Sequence, residues 1–272
     1  MKMTTSQLQK KYNINSQTIC KWVKKGWLNV QENYKHGQPY YIEEEDFLQI
    51  KKLYWNDVQR KTYNVGWNRE IFKTIDTPEK AYWLGFILAD GCLHLTNKNS
   101  FIGHFSIDIS AEDKRHLYKF ANFVEAQQDI VQITTHPTTG NKLAHIQLCC
   151  SETHKDLFNL GIKPQKSGKE QWIETDFPAD FIRGYYDGDG YIKQNLSNIG
   201  LVGSYDLLHK IQQHFYKTLD IIPKTIGKHG SIYRIEYTSK SDRKKIANYL
   251  WYNNCISLDR KQKLADEIKK IC

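Results

Sequence analysis

The 272-residue chain has no paired cysteine motif. Its six cysteines, Cys20, Cys92, Cys149, Cys150, Cys255 and Cys272, include no C-x-x-C. Such scatter excludes a disulfide framework and a zinc knot, and implies thiols kept in a reducing compartment. That means the cytoplasm of a bacterial or phage-infected cell, or a eukaryotic organelle. No H-E-x-x-H occurs among the ten histidines. No apolar run approaches the about 18 residues of a membrane span. The opening residues, MKMTTSQLQKKYNINSQ, lack the apolar stretch of a secretion signal. What is present in excess is positive charge: 39 Lys and Arg against 30 Asp and Glu, a net +9. With membranes set aside, that excess favours nucleic acid as partner. Apolar content of 40% is ordinary for a packed protein. The length allows a small module beside a large core.

Residues 1–54 read as the small module. Thr4 or Thr5 can cap a helix through Leu8 to Tyr12, followed by a turn at Asn13-Ile14-Asn15. Ser16 caps a second helix, Gln17 to Lys25, stopped by Gly26. Ile14 and Ile19 face inward, while Gln17, Thr18, Lys21, Lys24 and Lys25 suit contact with bases and phosphates. A hairpin is expected over Val30–Ile42 with its tip at Tyr34–Gly37, which adds Lys35 to the basic surface, and then a helix over Glu43–Leu53. This order resembles the winged helix-turn-helix of excisionase-like and MerR-like regulators. Residues 55–76 read as a linker.

One long-period repeat governs the remainder. Trp83-Leu84-Gly85-Phe86-Ile87-Leu88-Ala89-Asp90-Gly91 returns 99 positions later as Ile182-Arg183-Gly184-Tyr185-Tyr186-Asp187-Gly188-Asp189-Gly190. Pro78 and Pro178 stand where each helix should begin. Gly85 and Ala89 are four apart, as are Gly184 and Gly188, so each pair shares one helix face. A glycine inside a helix costs about 1 kcal/mol. Two helices packed backbone to backbone through these small residues supply the compensating gain. Packed about a pseudo-twofold axis, they bring Asp90 and Asp189 together at two helix C-termini, where the macrodipole disfavours an anion. Two carboxylates so placed need a cation, and hard oxygen ligands select Mg²⁺ or Mn²⁺. The expected metal ligands are Asp90 and Asp189 with the adjoining Gly91 and Gly190. On a basic surface, that arrangement suits metal-assisted phosphodiester hydrolysis.

The doubled motif, with its lead-in Thr77-Pro78-Glu79-Lys80-Ala81-Tyr82, resembles the paired signature of the LAGLIDADG homing endonucleases. The resemblance implies an α+β fold of two αββαββα halves, here 77–166 and 167–272, whose sheets straddle double-stranded DNA. It also implies that Asp90 and Asp189 carry the metal and the catalysis. Two motifs in one chain imply a monomer. Half one is expected to contain strands Cys92–Thr96, Phe101–Ile109, Ile130–His136 and Leu143–Cys150, with helices Ala111–Phe123 and Glu152–Leu160. Half two is expected to contain strands Tyr191–Lys193, Ile199–Val202, Lys224–Ile226 and Ile232–Tyr237, with helices Tyr205–Phe215 and Ser241–Trp251. Lys166, Arg260 and Lys261 resemble the family's lysine after the last helix of each half. Lys142 and Lys240 are further candidates for scissile phosphates.

The two motifs also differ. Leu88 stands where the second motif has Asp187, a candidate cap or supporting group, and Arg183 is expected to reach phosphate or solvent. The Asp187–Gly190 run is not a calcium loop, because Tyr191, Ile192 and Asn198 occupy positions that need Asp or Asn, Gly and Glu. Some members of this fold regulate transcription or assist RNA splicing without cutting, and a helix-turn-helix fusion suits a regulator. Retention of both acids favours a cutting enzyme. No splicing blocks flank the motifs, which favours a freestanding gene. The target sequence depends on sheet side chains and DNA shape.

Overall fold

The computed structural model describes residues 2–12, 14–30, 38–51, 67–97, 100–136 and 138–271. The chain divides into two compact units, Met1–Val65 and Gly66–Cys272.

The smaller unit contains β1 (Lys2–Thr4), α1 (Thr5–Tyr12), α2 (Ser16–Lys24), β2 (Tyr41–Glu43) and α3 (residues 44–51). Thr4 and Gln7 form a reciprocal cap at the start of α1. The Thr4 hydroxyl accepts from the Gln7 amide at 3.3 Å, and the Gln7 side chain accepts from the Thr4 amide at 2.8 Å. The cap of α2 is Asn15 rather than Ser16: its side chain accepts from the Gln17 amide at 2.8 Å, so the helix starts one residue earlier than expected. Gly26, at φ +70°, ends that helix as expected. Ile14 and Ile19 are buried with Met3, Leu8, Trp22, Leu28, Ile42 and Phe47. Of the expected hairpin, residues 31–37 lie outside the described residues. β2 pairs antiparallel with β1, at the chain's first residues, with Met3 opposite Ile42. Both of those side chains enter the core, which is what that pairing gains. Lys35 and the expected tip lie outside the described residues.

In the larger unit, Trp67 and Phe72, expected in the linker, are buried in the main core. Next comes α4 (Pro78–Asp90), started by Pro78 and by the Thr77 hydroxyl accepting from the Lys80 amide at 3.2 Å. It passes directly into β3 (Gly91–Asn97), then β4 (Ser100–Ser110), a 3₁₀ turn, α5 (Lys114–Phe123), β5 (Gln132–Thr135), β6 (Lys142–Cys149) and α6 (Ser151–Asn159). The second half repeats this: α7 (Pro178–Asp189), β7 (Gly190–Ile192), β8 (Ile199–Gly203), α8 (Tyr205–Leu219), β9 (Gly227–His229), β10 (Ile232–Tyr237), α9 (Lys240–Leu250) and a further helix, α10 (Asp259–Lys270). Each half holds one antiparallel four-stranded sheet, ordered β3-β4-β6-β5 and β7-β8-β10-β9. The strand expected over Lys224–Ile226 forms three residues later, as β9. α10 was not anticipated.

The two motif helices form the centre. Residues Ala81–Leu88 of α4 and Asp180–Asp187 of α7 are all buried. A Cβ built on Gly85 would stand 2.0 Å from the Phe181 carbonyl oxygen, and one on Gly184 would stand 1.9 Å from that of Tyr82. The two contacts exchange under the same 99-residue offset as the motifs, so the helices meet backbone to backbone about a pseudo-twofold axis. Ala89 and Gly188 meet one turn further on. The close approaches between the two helices run through Gly85, Ala89, Gly184 and Gly188.

Candidate active site

Asp90 and Asp189 end their helices at the point where each chain turns into a sheet, at Gly91 and Gly190. Both are partly buried. Burial, and then the charge of Asp189, push the Asp90 carboxyl up to about 7. Asp189 is also raised, by burial, against the lowering pull of Lys166. The Tyr185 hydroxyl donates to the Val202 carbonyl at 3.0 Å and lies near Asp189, whose carboxyl it pulls down. Phe86, the counterpart of Tyr185 in α4, has no hydroxyl. Buried Glu170 adds negative charge beside Asp189, and its carboxylate is held by the Gly168 and Ser204 amides, each at 2.9 Å.

Two carboxylates at the negative ends of two packed helices, near enough for the Asp189 charge to raise Asp90, fit a hard divalent cation. Among the described residues, no group of three or more His, Cys, Asp or Glu converges to cage one. Mg²⁺ is usually held by one or two carboxylates, with water and substrate phosphate completing the shell. The expectation for Gly190 needs correction. Its carbonyl oxygen accepts the Lys261 ammonium at 2.6 Å, and a cation already there disfavours a metal on the same atom.

The basic residues fall into two groups. Lys166 is partly buried, and its ammonium donates to the Ala89 carbonyl at 2.7 Å, within the electrostatic reach of both aspartates. Lys261 is 1% exposed and hydrogen-bonds the carbonyls of Tyr186, Asp187 and Gly190 at 2.7, 2.6 and 2.6 Å. It therefore caps the end of α7, and its ammonium is not on the surface where a DNA contact was expected. Burial lowers its pKa to about 8. Arg260 is exposed and paired with Asp113 at 2.9 Å. Lys142 and Lys240 are exposed, Lys142 donating to the Thr135 hydroxyl at 2.9 Å. On the smaller unit, Gln17, Lys21, Lys24 and Lys25 are exposed and Thr18 partly so.

Arg183 does not reach phosphate or solvent. It is fully buried, donating to Ile256 O at 2.7 Å, Leu250 O at 2.8 Å and Asp180 at 2.6 Å, between the Tyr82 and Tyr252 rings. The signal for this was in the sequence, because Asp180 and Arg183 are three apart on one helix. Asp187 accepts from the Tyr82 hydroxyl at 2.8 Å and the Leu258 amide at 2.7 Å, so it is a supporting group. His116, within hydrogen-bond distance of Tyr82, was not anticipated either.

Residues 176–269 match the family model described as a LAGLIDADG-like domain. No curated protein matches the chain. Among solved structures, the chain is similar to mesophilic variants of the homing endonuclease I-DmoI, with 18% identity, 69% of this chain and 96% of that one covered, and a TM-score of 0.49. It is similar to the LAGLIDADG meganuclease I-AabMI bound to uncleaved DNA, with 13% identity, coverage of 71% and 89%, and a TM-score of 0.42. It is also similar to full-length DUF199/WhiA from Thermatoga maritima, with 15% identity, coverage of 75% and 66%, and a TM-score of 0.45. No helix among the described residues is long and apolar enough to cross a membrane.

Proposed function

We propose that this chain, whose residues 176–269 carry a LAGLIDADG-like domain, is a site-specific double-strand DNA endonuclease that works with a divalent cation. The observation that carries this reading is the pair Asp90 and Asp189. Two helices in backbone contact place them together, one carboxyl rises to about 7, and the surrounding chain has a net charge of +9. A protein gains nothing in stability from two such acids, so their placement is explained by what they bind. A bound Mg²⁺ or Mn²⁺ would stabilise the leaving oxygen and lower the pKa of an attacking water. Asp90 and Asp189 would hold it, and the α4–α7 contact fixes their separation. Lys166 lies beside them to meet phosphate charge. The pseudo-twofold axis suits the two strands of a duplex, so a monomer supplies both halves of the site. The exposed α2 residues of the smaller unit would lengthen the DNA contact without joining the chemistry.

The test is incubation of the protein with Mg²⁺ and DNA from its own genomic neighbourhood. A discrete double-strand cut, abolished by EDTA and strongly reduced by Asp90→Asn, is expected. Tight binding without a cut would make the chain a DNA-binding regulator, and a preference for structured intron RNA would make it a splicing factor.

A further inference from the structure

The geometry points to a division of labour between two lysines that the repeat makes look equivalent. Lys261 is committed as a cap of α7, whereas Lys166 keeps N–H donors for a phosphate oxygen. A hydrogen bond across the helix interface, from Tyr82 to Asp187, sets the difference. This inference rests on the nuclease reading for the role of Lys166, but not for the commitment of Lys261.

An ammonium has three N–H donors. Those of Lys261 are all engaged, on the carbonyls of Tyr186, Asp187 and Gly190, with Gly188 O at 3.4 Å beside them. These are carbonyls at the end of α7, where the helix leaves acceptors without intrahelical partners. Lys166 makes one such contact, to Ala89 O, and remains partly open to solvent. The two ammoniums stand on corresponding helix ends, yet only one has donors left over.

The cause lies in residues that break the repeat. Asp187 accepts the Leu258 amide and so fixes the residue just before α10, three positions ahead of Lys261. The other half of the molecule holds Asp187 in turn: the Tyr82 hydroxyl donates its proton there. Buried His116 then donates from Nε2 to the Tyr82 oxygen at 2.9 Å. Two further contacts from half one brace the same segment. Lys119 reaches Ser257 O and Asp259, and Asp113 pairs with Arg260. In half one the counterpart of Asp187 is Leu88, and the counterpart of Tyr82 in half two is Phe181. Neither can make that bond; the loop that carries Lys166 is held instead four residues further on, where the Glu170 carboxylate accepts the Ser204 amide of half two. Asp187 and Tyr82 are thus positioning residues that act through Lys261, and Lys166 is the phosphate contact.

The experiment uses the full chain with Lys166→Met, Lys166→Arg, Lys261→Met and Tyr82→Phe. Each variant is melted in EDTA and titrated against a short mixed-sequence duplex in EDTA over a range of salt. Lys166→Met should melt within about 2 °C of the parent. It should flatten the log–log salt dependence of binding by about 0.9, the loss of one phosphate contact. Lys166→Arg should restore the slope. Lys261→Met should melt at least about 5 °C lower or fail to fold. Tyr82→Phe, which removes one hydroxyl and no charge, should lower the melting temperature while keeping the parental slope. Equal melting losses for Lys166→Met and Lys261→Met would overturn the inference. So would a parental slope in Lys166→Met. A parent that binds no duplex would sink the nuclease reading and the phosphate role together, while the melting contrast would still decide whether Lys261 alone is committed.

Discussion

The two halves of the larger unit share one order of elements and one strand order, yet their central helices are built on different chemistry. α4 buries an almost wholly apolar set, Ala81 to Leu88, in which Tyr82 supplies the one polar side-chain group besides the Trp83 indole. α7 buries Asp180, Arg183 and Asp187 at the same depth. A buried charge is tolerated only when paired and hydrogen-bonded, and those partners come from Leu250, Ile256 and Leu258, on the chain that leads into α10. Half two therefore needs the segment 250–258 against α7, and half one, with leucine at positions 84 and 88, has no such charges to pair. Duplication gave the sheet and the paired acids. Divergence of three helix positions changed what each half needs around them.

The comparison breaks most completely at the residues that did not diverge. Asp90→Asn and Asp189→Asn should each lower cleavage by roughly 10²–10³-fold, the usual cost of removing one electrostatic stabiliser of a transition state. Both variants should stay folded and bind target DNA at least as well as the parent, since each relieves repulsion at helix ends. A cleavage assay and a gel shift on one duplex check this. A double variant that cuts at the parental rate would remove the mechanism. Tyr185 lies near Asp189, and its counterpart in α4, Phe86, has no hydroxyl, so the single variants should differ in the nicked product they leave.

The next largest effect is on stability, and it should be symmetric. Gly85→Ala and Gly184→Ala each drive a methyl into a backbone carbonyl of the opposing helix, at 2.0 and 1.9 Å. Backbone cannot swing aside as a side chain does, so each should cost about 3–5 kcal/mol, at the upper end of point-mutant effects. Urea melts of both variants give the comparison. A loss below about 1 kcal/mol in either would mean that the helices are not in backbone contact.

Much of this was legible in the sequence because it was written twice. A glycine at the third position, a small residue before the acid and a proline at the helix start each recur at one fixed offset. Chance does not hold such an offset, so the helix interface and the paired acids could be read directly. Strands with a run of core-facing residues, such as Ile232–Tyr237, were legible to the residue. β9 was not, because Gly227, Lys228 and His229 are all exposed and carry no alternation of burial. α10 was missed because Asp259–Lys270 is dominated by charge, with Ala265 and Ile268 its buried apolar residues. The buried Lys261 and Arg183 were placed outside for one reason: charge is assigned to the surface by default, and only tertiary carbonyls make it otherwise. Residues 31–37, where the wing was expected, are outside the described set.

A smaller effect, of opposite sign for two groups of half one, comes from pH. The folded His116 is held down to about 3, by burial and then by the Lys119 charge, against an ordinary 6.5. The unfolded chain therefore takes up the proton first, and this stabilising contribution, complete above 6.5, is lost as pH falls toward 3. Asp90 has its folded value raised to about 7 against an ordinary 3.8. The folded state holds that proton first, so acidification from 7 toward 3.8 adds stability. In EDTA, His116→Gln should lose less stability than the parent between pH 7 and 5, by about 2 kcal/mol. Asp90→Asn should show a difference of the opposite sign. Urea melts at the two pH values give both, and parallel behaviour of all three proteins would count against the burial of these groups.

The smallest expected effect asks whether the two halves grip DNA equally at their edges. Lys142 begins β6 in half one and Lys240 begins α9 in half two; both are exposed, so neither substitution should move the melting temperature. Lys240 stands at a helix N-terminus, where the macrodipole also favours a phosphate. Lys142 has one donor engaged by Thr135 and the others open. If each meets one phosphate, Lys142→Ala and Lys240→Ala should each flatten the log–log salt dependence of binding by about 0.9, and the double variant by about twice that. The helix end adds to the charge at Lys240, so its loss should weaken binding slightly more than that of Lys142. A slope unchanged by either substitution would remove that lysine from the interface and leave its half of the duplex to be held by the sheet face alone.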